Sequence, residues 1–282
     1  MQRENISAEA GARPPQDPFR KVRRASERIH LLGGEMDFVR AEEVFHFVKE
    51  QRRRAKKTVI ANHNLHSLAL MRKSPAVRAF FDRADLIEVD SVPAIRWARL
   101  LGYPVRGFHR CTYLDWREDF WRIAVEEGWR VFYLGCRPKD IDLAIAAVLK
   151  RHPLAQLKGR HGHFDVNSGS TDNKTVLEEI AAYRPDILMV GMGMPRQEVW
   201  VLENLEALPV CAVFTVGGAF DYEAGAQVPA PRWVARLGLE WLFRLASNPG
   251  RMFKRYCVEP FELLPTLLVD IQRSLGRKSA RS

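Results

Sequence analysis

From residue 29 onward, short apolar, β-branched runs alternate with longer segments whose apolar positions recur every three or four residues. The runs over 58–61, 86–89, 131–134, 187–192 and 210–216 read as strands. The segments over 41–53, 65–83, 92–101, 116–127, 138–151, 173–183 and 195–205 read as helices. This alternation predicts βαβ units and a Rossmann-like open, mostly parallel sheet with helices on both faces. Pro138 falls just inside the expected start of its helix, where a missing N–H costs nothing. Residues 161–174 read as a polar loop, and no internal repeat is visible.

The two ends depart from this pattern. Residues 1–27 are polar, with Pro14-Pro15 and scattered arginines, and are expected to be disordered. They contain no apolar core of a signal peptide. Beyond Pro231 the aromatic and aliphatic residues Trp233, Leu237, Leu239, Trp241, Leu242, Phe243 and Leu245 mix with Arg232, Arg236 and Arg244. The expected organisation is an extension over 1–27, an α/β domain over 28–231 and a basic amphipathic helical appendage over 232–282. An interfacial helix pair has this composition. Helices that cap the domain or form a homo-oligomer contact have it too, and periodicity does not separate the two.

Charge sharpens the first alternative. The 282 residues carry 44 Lys and Arg against 34 Asp and Glu, a net +10. Residues 1–57 hold 14 basic and 9 acidic side chains and residues 232–282 hold 10 and 4, so the middle is close to neutral. Basic flanks on a neutral core point to an anionic surface, either a membrane or a polyanion. No window approaches the roughly 20 apolar residues that span a bilayer. Cys111, Cys136, Cys211 and Cys257 are far apart and form no CxxC pair, which argues against disulfides or zinc and for a reducing cytosol.

Candidate chemistry collects where apolar runs stop. Gly191-Met-Gly193-Met-Pro195-Arg196-Gln197-Glu198 follows one run, and Gly217-Gly218-Ala219-Phe220-Asp221 follows the next. Such breaks mark the carboxyl ends of parallel strands, where ligands bind. The first string lacks the features of a Walker loop or a dinucleotide fingerprint. It reads as a glycine loop entering a helix N-terminus favourable to phosphate, with a ligand-free tight turn as the alternative. Gly135 ends another run in the same way.

Asp90 ends the run 86–89. A carboxylate there serves as a base in a partly apolar setting, or it caps the next helix. Asn62 and Asn64 follow the run 58–61, with the same choice between binding and capping. His63 and His66 lack a carboxylate at ligand spacing, so a metal is not expected. Asp140-Ile-Asp142 spells DxD but falls within an expected helix and reads as a solvated face. Arg110 follows the helix 92–101, and its planar fork suits phosphate oxygens.

Taken together, these strings resemble the WecG/TagA/CpsF family of bacterial glycosyltransferases. The resemblance runs from about residue 29 to residue 261 and is densest over 185–198 and 216–256. It implies an inverting, metal-independent transfer from a UDP-sugar to a polyprenyl-diphosphate-linked saccharide, at the inner face of the cell membrane, in surface polysaccharide synthesis. Asp90 matches the family's catalytic aspartate, Asn64 and Gln197 match its binding residues, and Arg110 matches its arginine. Asn62 stands where the family has threonine. Arg244, Arg251 and Lys254 match the basic positions placed near the lipid diphosphate, and the appendage is expected to close over the cleft. The continuation Tyr113-Leu-Asp-Trp116 looks closer to exopolysaccharide members. Gly135, Gly191, Gly193, Gly217, Gly218 and Asp221 complete the expected substrate site, with no cofactor. The two rivals are a catalytically retired scaffold of this fold and a basic nucleic-acid-binding protein. The second needs aromatic and basic residues on one platform, whereas here the aromatics alternate with leucines.

Overall fold

The protein, seen in a computed structural model, is described over residues 28–209, 211–231, 234 and 239–279, apart from the side chains of 251 and 277–279. The expectations for 1–27, for Val210, for Arg232, Trp233, Arg236 and Leu237, and for the Arg251 side chain lie outside the described residues.

Chain order explains the architecture. A hairpin of β1 (Arg28–Leu31) and β2 (Gly34–Asp37) turns through Leu32 and Gly33, both at positive φ. There follow α1 (Ala41–Arg53), β3 (Thr58–His63), α2 (Leu65–Lys73), α3 (Pro75–Arg83), β4 (Leu86–Val89) and α4 (Val92–Leu100). The chain continues through α5 (Tyr113–Glu126), β5 (Arg130–Gly135), α6 (Ile141–Arg151), β6 (Gln156–Arg160) and α7 (Thr171–Tyr183). Last in the sheet region come β7 (Ile187–Gly191), α8 (Arg196–Asn204), β8 (Ala212–Thr215) and the short α9 (Ala219–Glu223). Strands β3 to β8 form one parallel sheet in the order β4-β3-β8-β7-β5-β6. The expected Rossmann-like sheet is therefore present, with helices on both faces.

Alternation along each strand divides the core in two. Val131 and Tyr133 face α1, α5 and α6 with Phe45, Trp116, Phe120 and Phe220. Phe132 and Leu134 face α3, α7 and α8 with Phe80, Ile180 and Trp200. Both sets are fully buried, and each large side chain contributes roughly 1.5–3 kcal/mol of transfer free energy. A third cluster joins Leu31 and Met36 of the hairpin to Ala94, Ile95 and Leu263.

After the sheet, α10 (Glu240–Ser247), α11 (Pro249–Phe253), a π-helical turn over 254–258, α12 (Glu259–Glu262) and α13 (Leu264–Ser279) fold back onto the core. Asp270 ties α13 down, its Oδ2 accepting from Leu32 N at 2.9 Å and from Trp97 Nε1 at 3.0 Å.

Several boundaries differ from expectation for identifiable reasons. The single helix expected over 65–83 is two helices. Pro75 lacks an N–H and drives Ser74 into extended backbone, and the Ser74 hydroxyl then caps α3 at Val77 N. Strand β3 runs two residues further than its apolar run, so Asn62 and His63 lie in the sheet. Strand β6 was not legible because it is a half-exposed edge strand of mostly polar residues. Pro138 lies in a turn ahead of α6. Asp140 is buried at the helix start with an oxygen 2.6 Å from Arg137 Nε, so the solvated reading of that aspartate is wrong.

Candidate active site

The carboxyl ends of β3, β4, β7 and β8 converge on a cavity of about 440 Å³, lined by Asn62, Asn64, Glu88, Asp90, Gly193, Gln197, Gly217 and Gly218. A larger one, about 1000 Å³, adjoins it over Cys136, Arg137, Gly162, Gly191, Arg196 and Asp221. A third, about 380 Å³ and more apolar, lies on the other side of Asp90 under Trp241 and Tyr256. Asp90 borders the first and third, and Arg244 borders all three.

Asp90 is free for chemistry because its neighbour does the capping. Ser91 Oγ accepts from Ala94 N at 3.2 Å, leaving the Asp90 carboxylate pointed at the cleft. Burial raises its pKa above the ordinary aspartate range, against the opposing pull of Arg110. Arg110 Nε lies 3.3 Å from Asp90 Oδ1, and Arg110 Nη2 lies 3.1 Å from Glu240 Oε2. Glu240 in turn accepts from Arg244 Nη2 at 2.7 Å, and the Arg244 guanidinium lies over the Tyr222 ring. An alternating chain of charge, Asp90–Arg110–Glu240–Arg244, thus links the sheet to the C-terminal helices.

The asparagines divide between the roles left open by sequence. Asn64 caps α2, accepting from Ser67 N at 3.1 Å, while still lining the cleft beside Met194. Asn62 donates to Cys111 O at 3.1 Å and lies 3.4 Å from Glu88 Oε2. His63 is wholly buried and stacks on Phe81 at 3.9 Å, and burial lowers its pKa to about 3. Among the described residues no group of three His, Cys, Asp or Glu is placed to hold a metal ion.

The glycine loops are held from beneath. Gln197 is fully buried, and its Oε1 accepts from both Gly193 N and Gly217 N at 3.2 Å. One side chain therefore joins the loop after β7 to the loop after β8, and those two amides are engaged by protein. Gly193 and Gly217 both have positive φ, which their turns require. Gly135 and Gly191 serve close packing: an added Cβ at either would meet the Tyr133 hydroxyl, and Tyr133 stacks on Phe220 at 3.6 Å. Gly135 lines none of the three cavities. Asp221 borders the large cavity beside the Cys136 thiol, whose pKa is pushed up to about 12 by burial and by that carboxylate.

Of the basic residues, Arg244 and Lys254 reach the central cavity of about 440 Å³ and are joined there by Arg255, which sequence reasoning did not single out. His66 Nδ1, 2.5 Å from Glu259 Oε2, closes the rim between α2 and α12. Glu88 was also missed. A carboxylate inside an otherwise apolar strand was the available signal, since Glu is rarely buried without purpose.

An α/β enzyme is defined here, with a cleft-lining carboxylate and several guanidinium groups meeting at the carboxyl ends of parallel strands. Residues 29–277 match the Glycosyl transferase WecG/TagA/CpsF family, and the chain belongs to that family: it is a glycosyltransferase. It is similar to the N-acetylglucosaminyldiphosphoundecaprenol N-acetyl-beta-D-mannosaminyltransferase of Staphylococcus aureus strain MW2, at 26% identity over 206 residues, covering 70% of this chain and 78% of that one. The protein of the same name from strain NCTC 8325 / PS 47 is also 26% identical, over 67% of this chain and 75% of its own length.

Proposed function

We propose that this glycosyltransferase moves a sugar from a UDP-sugar to a polyprenyl-diphosphate-linked saccharide, with inversion at the anomeric carbon and without a metal ion. The observation that carries the reading is Asp90, an uncapped carboxylate of raised pKa on the border between two cavities. The donor occupies the polar cavities over the glycine loops. The acceptor enters through the apolar one under Trp241 and Tyr256. The acceptor hydroxyl gives its proton to Asp90 as its oxygen bonds to the anomeric carbon, and the bond from that carbon to UDP breaks. Arg244, with Arg110 behind it, is placed to offset the charge on the departing diphosphate, a preorganised term worth ~3 kcal/mol per well-placed donor.

The relatives' acceptor, a diphosphoundecaprenol-linked N-acetylglucosamine, supports the lipid-linked acceptor class. No helix among the described residues is long and apolar enough to cross a membrane. The C-terminal helices carry exposed Phe253, Phe261, Leu264 and Leu268, with the cation Lys254 next to Phe253 in the chain, a composition suited to the inner face of the cell membrane. UDP release tests the reading directly. Purified protein is offered UDP-N-acetylmannosamine, UDP-N-acetylglucosamine and UDP-glucose, with and without N-acetylglucosaminyl-diphosphoundecaprenol and membrane extract. Acceptor-dependent release from one donor is expected. No release from any donor, with folded protein and competent acceptors, would leave a scaffold of this fold.

A further inference from the structure

The floor of the central cavity is made by a pair of polar side chains that the transfer step does not use. Asn62 and Glu88 are register partners on the adjacent strands β3 and β4, so both project to the same face of the sheet, below Asp90. Glu88 is 3% exposed, yet it lines the cavity. Among the described residues its carboxyl has one hydrogen-bond partner, the Asn62 amide at 3.4 Å. That amide spends its better hydrogen bond on Cys111 O, and no donor among the described residues reaches Asn62 Oδ1. A buried carboxyl with one long hydrogen bond costs stability that an apolar strand residue would not. The pairing makes sense when a ligand completes it.

We propose that the Asn62–Glu88 pair reads the transferred sugar, holding a neutral hydroxyl or acetamido substituent of the ring between the Asn62 carbonyl oxygen and the Glu88 carboxyl group. This rests on the donor placement proposed above. Burial, with the nearby Asp90 charge adding to it and the Asn62 contact opposing it, pushes Glu88 up to about 8. At neutral pH Glu88 is therefore a carboxylic acid that donates, and Asn62 Oδ1 accepts. A hydroxyl or an acetamido group offers the complementary acceptor and donor; an anionic substituent offers no donor to Asn62. The titratable groups around Glu88 are Asp90 just past the end of its strand, Cys111 and Arg110 on the segment before α5, Tyr113 of α5, and Glu42 and Glu43 of α1 behind Cys111. Across the cavity stand His66, Tyr222, Arg244, Lys254, Arg255 and Glu259. The Cys111 and Tyr113 groups are held well above their usual ranges by burial and stay neutral through this interval.

Calorimetric titration with UDP and with the UDP-sugar that supports transfer, on wild type, Glu88→Gln and Glu88→Leu, tests the pair. For wild type, affinity for the UDP-sugar should fall by about tenfold as pH rises through about 8, with UDP affinity unchanged. Glu88→Gln, which donates at every pH, should bind the UDP-sugar without that dependence. Glu88→Leu should raise the donor KM by about tenfold while kcat changes by only about twofold, because the lost contact is made equally before and during reaction. An unchanged ratio of UDP-sugar to UDP affinity in both variants, with transfer intact, overturns the assignment and leaves the glycosyltransfer reading standing. A wild-type chain that transfers from no UDP-sugar overturns both.

Discussion

Arg110 holds its Nε 3.3 Å from the Oδ1 of Asp90, and the two largest influences on that carboxylate oppose each other. Burial favours the protonated acid and the guanidinium favours the anion; burial prevails, and the pKa ends above the ordinary range. A base in such a setting works once deprotonated, so kcat should rise with pH along an acid limb displaced above that of a solvated aspartate. Asp90→Asn should remove about 10²- to 10⁴-fold of the rate and flatten that limb, with the fold intact by circular dichroism. A variant that turns over at the wild-type rate would take Asp90 out of the mechanism.

Arg110→Gln isolates the opposing influence. Without that guanidinium, burial and the Glu240 and Asp115 charges act on Asp90 against Arg244 alone, and the acid limb should move to still higher pH. The shift reports on Asp90 because Glu240 keeps its second partner, Arg244 at 2.7 Å. A pH–rate profile measured on the variant with saturating donor gives the answer, and superimposable acid limbs would mean that Arg110 does not tune the base.

Much of this site was legible in sequence because parallel strands end abruptly. Asp90, Asn64 and Gly193 were placed by the stops after apolar runs, and the sheet order brings those stops together. The order itself was not legible, since β8 inserts between β3 and β7 through contacts distant in sequence. Ser91 caps α4 in place of Asp90, while Asn64 caps α2 itself, and local propensity alone could not say which residue would cap. Gln197 read as a ligand contact; that it also ties two glycine turns together was not legible, because the second turn comes from β8 lying alongside β7. Glu88 was hidden by the convention that a strand interior is apolar.

The packing of Gly135 and Gly191 against Tyr133 gives a structural prediction separate from chemistry. A Cβ at Gly135 would sit 2.5 Å from both Gly191 O and the Tyr133 hydroxyl. Gly135→Ala should therefore destabilise by about 1–3 kcal/mol through overpacking, and Tyr133→Phe should recover part of the loss by removing the hydroxyl. A double-mutant cycle from urea unfolding measures the coupling; additive losses would show that the strain lies elsewhere.

Leu264, Leu268, Ile271 and Leu275 recur at helical spacing on α13, each more than a third exposed. Phe261 extends the stripe at 67% exposure. On the proposed membrane reading, Phe261→Ser with Leu268→Ser should weaken co-sedimentation with phosphatidylglycerol-containing vesicles by at least about tenfold. Solution transfer to a short-chain soluble acceptor should be spared. Equal sedimentation of variant and wild type would remove this stripe from the membrane contact.

Glu198 links the same loops to pH through stability. Its side chain is fully buried in α8, its Oε1 accepts from Gln197 Nε2 at 2.7 Å, and its Oε2 has no hydrogen-bond partner among the described residues. Burial raises its pKa to about 7, against 4.5 for a solvated glutamate. The folded chain therefore holds a proton that the unfolded chain has released across that interval. Stability from this group is full below about 4.5, falls as pH rises, and levels off above about 7, a total of about 3 kcal/mol. Glu88 acts in the same sense up to about 8, so Glu198→Gln should flatten only part of the decline. The variant should gain stability relative to wild type at mildly alkaline pH and lose that advantage in acid. Urea midpoints compared across this range decide it: curves that stay parallel would mean Glu198 is already ionised in the native fold.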